Sequence, residues 1–223
     1  MKELVLCFHG VGQPHCFVGS EERPYWISVE KFIRILDQVS SFPNAEPRIV
    51  LTFDDGNASD FKFALPELSK RALTASFFLL AGRSGKKEYL DIAMIRDLLD
   101  AGMKIGSQGM EHRDWRTLGP SALRAELVDA RRKLEDITQR PVSTVAIPFG
   151  SYDRRVLKHL MAEPWECIYT TDRGLARSQS MIKPRETIAV NTQDQDLLRR
   201  LSTDAPPLTR VRRQLSRLYK RLR

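Results

Sequence analysis

The run Leu51-Thr52-Phe53-Asp54-Asp55-Gly56 changes character within one step. Residues suited to a buried strand give way to two carboxylates and a glycine. The β-branched and aromatic residues from position 48 onward read as a strand. Gly56 permits a tight turn directly after it. Neighbouring strand residues point to opposite faces, but at a strand-to-loop transition both can be turned to one rim. Two carboxylates held close repel unless a cation or proton lies between them. An ordinary Asp-Gly turn is the plainer reading of the same letters. What else reaches that rim decides between the two.

Outward from this run, short apolar segments alternate with helical patterns. Strands are expected at 4–8, 48–53, 75–80, 103–106, 144–147, 167–171 and 186–190. Helices are expected at 28–40, 60–71, 91–101, 121–138 and 154–161, with Ser28 as an N-cap and Gly102 as a stop. Strictly alternating units of this kind give a mostly parallel sheet, and seven strands suggest a closed or nearly closed barrel. The chemistry-bearing residues fall after these strands: His9, Asp54 and Asp55, Ser107 and Gln108 with His112 close behind, Pro148-Phe149-Gly150, and Asp172. Sites in parallel α/β barrels are built at that end, from several loops.

Length and composition agree with one globular barrel. There are 223 residues, 42% hydrophobic and 29% charged. The three cysteines, Cys7, Cys16 and Cys167, are widely spaced and form no CxxC pair, which argues against a disulfide framework or a zinc ribbon and for a reducing compartment. The apolar run from Leu4 to Phe8 is too short for a signal-peptide core, so a soluble cytoplasmic protein is expected. The net charge of +8 is concentrated at the end: seven Arg and Lys residues lie between Leu208 and Arg223, no acid follows Asp204, and the rest carries +1. No nucleic-acid partner is expected, because such a reading would rest on this tail alone.

Five stretches resemble, in order along the chain, the NodB-type polysaccharide deacetylases, carbohydrate esterase family 4. Thr52-Phe53-Asp54-Asp55-Gly56 is similar to the family's first motif. Ala75-Ser76-Phe77-Phe78-Leu79 resembles its next strand, and the segment from Ile105 to His112 its second motif. Pro148-Phe149-Gly150-Ser151-Tyr152 resembles its third, and the opening stretch from Leu4 to Gly12 the first strand of one branch. The resemblance, which runs to about Arg185, implies an α/β fold, a deformed (β/α)7 barrel; the composition shift at Ala205-Pro206-Pro207 sets the barrel's expected extent at residues 1–204 and leaves a basic amphipathic helix over 205–223. It implies hydrolysis of an N-acetyl group on an amino sugar or glycan with a divalent metal, commonly zinc. By position, Asp54 is then the base, Asp55 and His112 are metal ligands, and the Phe149 N–H holds the oxyanion. Pro148 and Gly150 of the third motif would line the substrate cleft; Tyr152 beside them could line it too, and Trp115 could either stack on a sugar ring near the rim or pack in the core.

Three positions depart from the family pattern. Gln108, the third candidate metal ligand, stands where a second metal-binding histidine is expected, and an amide oxygen is a weaker zinc ligand than imidazole. Ala146 replaces the arginine that steadies the base, a role open to Arg185. The late histidine that protonates the leaving amine is absent, since no histidine follows His159, and His9 or a carboxylic acid must stand in. A carbohydrate-binding member without turnover, or a hydrolase of a small non-sugar amide, is therefore a rival reading.

In the tail, Leu208, Val211, Leu215, Leu218 and Leu222 form one apolar stripe of a helix, with Arg and Lys on the other faces. Packing on the barrel or a partner, and peripheral contact with an anionic membrane face, both fit that pattern.

Overall fold

The computed structural model describes residues 1–41, 47–193 and 206–223. The expected domain boundary at 204/205 lies outside the described residues. Among the described residues there are eleven strands: β1 (Lys2–Phe8), β2 (Gly10–Val11), β3 (Trp26–Ile27), β4 (Arg48–Phe53), β5 (Ala75–Leu79), β6 (Lys104–Ser107), β7 (Thr144–Ala146), β8 (Cys167–Thr170), β9 (Ala176–Arg177), β10 (Ile182–Pro184) and β11 (Glu186–Thr187). The α-helices among the described residues are α1 (Val29–Ser40), α2 (Leu65–Lys70), α3 (Ile92–Asp100), α4 (Pro120–Arg124), α5 (Ala130–Thr138), α6 (Arg154–Met161) and α7 (Pro207–Leu222).

The main sheet runs β10-β8-β7-β6-β5-β4-β1-β11, with parallel pairing throughout this path. Only Arg185 separates β10 from β11. Residues 182–187 thus act as one strand that pairs with β8 by its first half and with β1 by its second. The Arg185 N–H donates to the Thr170 carbonyl, and the Ile188 N–H to that of Cys7. This strand joins the two sheet edges, so the barrel is seven-stranded.

The expected last strand, at 186–190, captured only its second half. Pro184 supplies the reason, because a proline cannot donate to a ladder and weakens a strand pattern. Two expected helices are also subdivided. Single π-turns, Asp60–Ala64 and Ala125–Asp129, precede α2 and α5, and such bulges frequently mark functional positions.

Period-two alternation sorts each strand between two packing layers. Leu4, Leu6, Phe8, Phe53, Phe77, Val145 and Ile168 pack in the outer layer with the helices. Val5, Val50, Phe78, Ala146, Cys167 and Tyr169 form the other cluster, inside the barrel. Residues 50, 52 and 54 share this inward register, as do 3, 5 and 7, and 183 and 185.

Candidate active site

Asp54 continues the inward register of β4 and is buried. Its oxygens accept from Arg185 Nη1 and Nη2, at 2.6 and 2.7 Å. Arg185 is fully buried, with its guanidinium over the rings of Phe78 and Tyr169. Burial alone would raise the Asp54 carboxyl, but the facing guanidinium outweighs it and holds the group below its ordinary value. Asp54 is therefore ionised at neutral pH.

Strand alternation would aim Asp55 away from Asp54. Its φ of 73° breaks the strand and re-aims the side chain. Left-handed backbone is uncommon for a non-glycine residue, and two other residues here share it: His112 at 57° and Phe149 at 58°. Such concentrations of strain are typical of active sites. Asp55 Oδ1 is buried without a hydrogen-bond partner and lies 3.5 Å from His112 Nε2. Burial pushes the Asp55 carboxyl up to about 6, and burial likewise pushes the His112 imidazole below its usual value, toward the neutral form that binds metals. The His112 ring packs 4.4 Å from the Phe149 ring, and Phe149 is 60% exposed at the rim.

An orphaned carboxylate oxygen beside a neutral imidazole fits a divalent cation. Two ligands each about 2.0–2.2 Å from one ion stand roughly 3.4 Å apart in tetrahedral geometry. Among the described residues, no third His, Cys, Asp or Glu joins this pair in a metal-binding cluster. Cys7, His9 and Asp54 do place one ligand atom each within 4.8 Å of one another. That trio does not suit a cation, because Arg185 occupies both Asp54 oxygens and burial keeps the Cys7 thiol protonated. His9 is half-buried, stacks near Tyr25, and keeps a buried Nδ1 without a hydrogen-bond partner.

The structure brings together Asp54, Asp55, His9, His112, Phe149 and Arg185, and it corrects three expectations. Gln108, expected as a metal ligand, instead turns its Oε1 to the Asp55 N–H, accepting it at 2.6 Å and so holding the turned backbone. Trp115, expected to stack on a sugar, is fully buried, and its Nε1 donates to Glu126 at 3.4 Å. Tyr152, expected to line the cleft, is buried beneath the rim and donates to Asp172 at 2.6 Å. Aromatic residues adjacent to motifs fit cleft and core equally well in sequence, so their burial could not be read there. Pro148 is buried, and Gly150 adopts a φ of 60° where an added Cβ would lie 1.9 Å from Thr171 Oγ1.

One residue of this site escaped the sequence reading. Glu126 lies in the second π-turn, 3% exposed. It accepts the Met110 N–H at 2.8 Å and the Glu111 N–H at 3.3 Å, besides the indole N–H. It thus fixes the loop that presents His112. The available signal was a glutamate beside Leu127 on an otherwise apolar helix face.

The parallel barrel carries this polar cluster at the C-terminal ends of its strands, the end at which α/β barrels build their sites. A family model described as polysaccharide deacetylase matches residues 43–163, and the chain belongs to that family. YxkH of Bacillus subtilis, which carries a polysaccharide deacetylase name, is 25% identical over 138 residues, covering 61% of this chain and 50% of its own. The chain thus spans about half the length of that curated relative. Among solved structures, the Streptococcus pyogenes deacetylase PplD in complex with acetate superposes with a TM-score of 0.79 at 19% identity, over 90% of this chain and 98% of its own. BC0361, a polysaccharide deacetylase from Bacillus cereus, gives 0.78 at 20% identity, over 91% and 69%. These two likenesses establish the barrel fold.

Proposed function

We propose that this chain is a metal-dependent hydrolase that removes an N-acyl group, acetyl in the first instance, from an amino sugar of a glycan. The observation that carries this reading is the pairing of unlike neighbours. Asp54 is ionised and held by Arg185, while Asp55 presents an unpartnered buried oxygen to His112. Asp55 and His112 would hold the divalent ion, zinc by the nature of the donors. When bound, the ion would polarise the amide carbonyl and acidify water. Asp54 takes the proton of the attacking water as general base. The Phe149 N–H donates to the oxygen where negative charge develops. His9, close to Asp54, delivers a proton to the departing amine.

Gln108 favours a second reading. With its oxygen on the Asp55 N–H, two protein ligands remain where three are typical of catalytic zinc. A binder of carbohydrate without turnover would have this arrangement. Calorimetric zinc titration together with acetate release from N-acetylated chito-oligosaccharides separates the two. The proposal expects weak zinc binding by the wild type, zinc-dependent acetate release, loss of release in Asp54→Asn, and loss of zinc binding in Asp55→Asn. A wild type that binds zinc and sugar but releases no acetate, with release gained in Gln108→His, would establish the binder.

A further inference from the structure

The orientation of α7 reverses the usual arrangement. Its basic face is turned inward. Arg213 reaches Glu186 at 3.5 Å, Arg217 donates to the carbonyls of Asp172 and Arg173, and Lys220 meets Asp172 Oδ1 at 2.6 Å and the Gly150 carbonyl at 3.2 Å. Residues 213, 217 and 220 fall on one side of a helix of 3.6 residues per turn. The apolar stripe lies on the opposite side and is solvent-exposed: Leu208, Val211, Leu215, Leu218 and Leu222 are 51 to 85% exposed. Five large aliphatic side chains in one exposed row are not the pattern of scattered surface apolar residues, and such patches mark interaction sites.

A groove lies between α6 and α7, on the flank of α7 that carries Arg221. Leu157, Met161 and Ile182 contribute its apolar lining, and Arg154, Lys158 and Arg221 its cationic one. Apolar surface beside three cations suits an amphiphile with a negative head.

We infer that the α6–α7 face docks on an anionic phospholipid bilayer, with the α7 stripe entering the interface and the groove's cations meeting lipid phosphates. The charge pattern selects this occupant. The stripe is flanked by Arg212 and Arg221, and no acid occurs from residue 205 to the end. A second copy paired through the same stripe would bring only cations to the flanks, which disfavours self-association. A bilayer offers an apolar layer and negative heads together. Because Lys220 anchors α7 on Gly150, next to Phe149, docking would bring the catalytic rim to the lipid surface. The inference does not depend on turnover at that rim.

Vesicle co-sedimentation of the full chain tests it, with phosphatidylcholine alone and with phosphatidylcholine mixed with phosphatidylglycerol. Binding is expected to the mixed vesicles and to fall as salt is raised. Arg154→Gln and Lys158→Gln should each weaken it about fivefold. The double variant Leu215→Glu/Leu218→Glu should abolish it while leaving the circular dichroism spectrum and any turnover of soluble substrate unchanged, since both side chains are exposed and lie outside the site. Absence of binding to the mixed vesicles, equal binding to both vesicle types, or full binding by the double variant would each overturn the inference. So would a dimer in light scattering that the double variant dissolves without any vesicle binding by the wild type.

Discussion

Arg185 holds both carboxylate oxygens of Asp54, at 2.6 and 2.7 Å, from the single residue that separates β10 from β11. The closure of the barrel and the ionisation of the candidate base therefore depend on the same position. Ala146, where the family arginine is expected, lies in the interior cluster with Phe78 and Tyr169, the two rings beneath the Arg185 guanidinium. The cation comes from the closing strand instead of from β7.

Removing one partner of a buried ion pair strands the other, at a cost of about 3–5 kcal/mol, whereas replacing both with apolar groups is often neutral. Arg185→Met should therefore lower unfolding stability by that amount in urea titration. The double variant Arg185→Met/Asp54→Leu should recover most of the loss while remaining catalytically dead. Equal stability of the single and double variants would show that Arg185 acts through its packing and not its charge.

Gln108 offers a sharper separation of structure from chemistry. Its side-chain oxygen satisfies the buried Asp55 N–H at 2.6 Å. Gln108→Leu leaves that donor unmet, which costs about 1–3 kcal/mol, and the loss should appear as a lowered urea midpoint without zinc. Gln108→His restores the family ligand type and should tighten zinc binding in calorimetry. A Gln108→Leu protein as stable as wild type would remove the backbone-holding role of this side chain.

Glu126 supports His112 without touching it, through three N–H donors of the 110–115 loop. Outer partners of metal ligands typically change affinity 10–100-fold when altered. Glu126→Gln should therefore weaken zinc binding within about that range, with helix content retained by circular dichroism. Unchanged zinc affinity would make Glu126 a purely structural residue.

Much of this architecture was legible in the sequence, for identifiable reasons. The alternation of strands with helices pointed to the parallel barrel, and the polar residues after strands pointed to the rim that carries the site. The Asp54–Arg185 partnership was open to view through the family resemblance, because Ala146 stands where an arginine is expected and Arg185 lies near the last strand. The positive φ at Asp55 and His112 was not legible, since neither residue type announces left-handed backbone. Nor was the facing of α7. An amphipathic pattern specifies two faces, and the apolar one is ordinarily the buried one. Here the acids at Asp172 and Glu186 capture the basic side.

The closing strand has a second inward cation, and it yields a pH test. Lys183 Nζ meets Glu3 Oε2 at 2.6 Å at the other end of the barrel, where Glu3 also accepts from Arg48 across β1 and β4. Burial pushes the Glu3 carboxyl up, but Lys183 and Arg48 outweigh it and hold the group below 4.5. A carboxylate with a depressed folded-state value contributes stability that is fully present above its unfolded value and is lost as pH falls through the folded one. Glu3→Gln should therefore lower the thermal midpoint at neutral pH. The gap to wild type should begin to shrink as the pH falls below 4.5, where the unfolded chain starts to bind the proton, and should close as the pH passes the lower folded-state value. Thermal melts of both proteins across that range check the sign. A gap that stays constant from neutral to acidic pH would mean that Glu3 contributes through packing alone, and that the ion pairs joining the closing strand to β1 and β4 add nothing to the stability of the barrel.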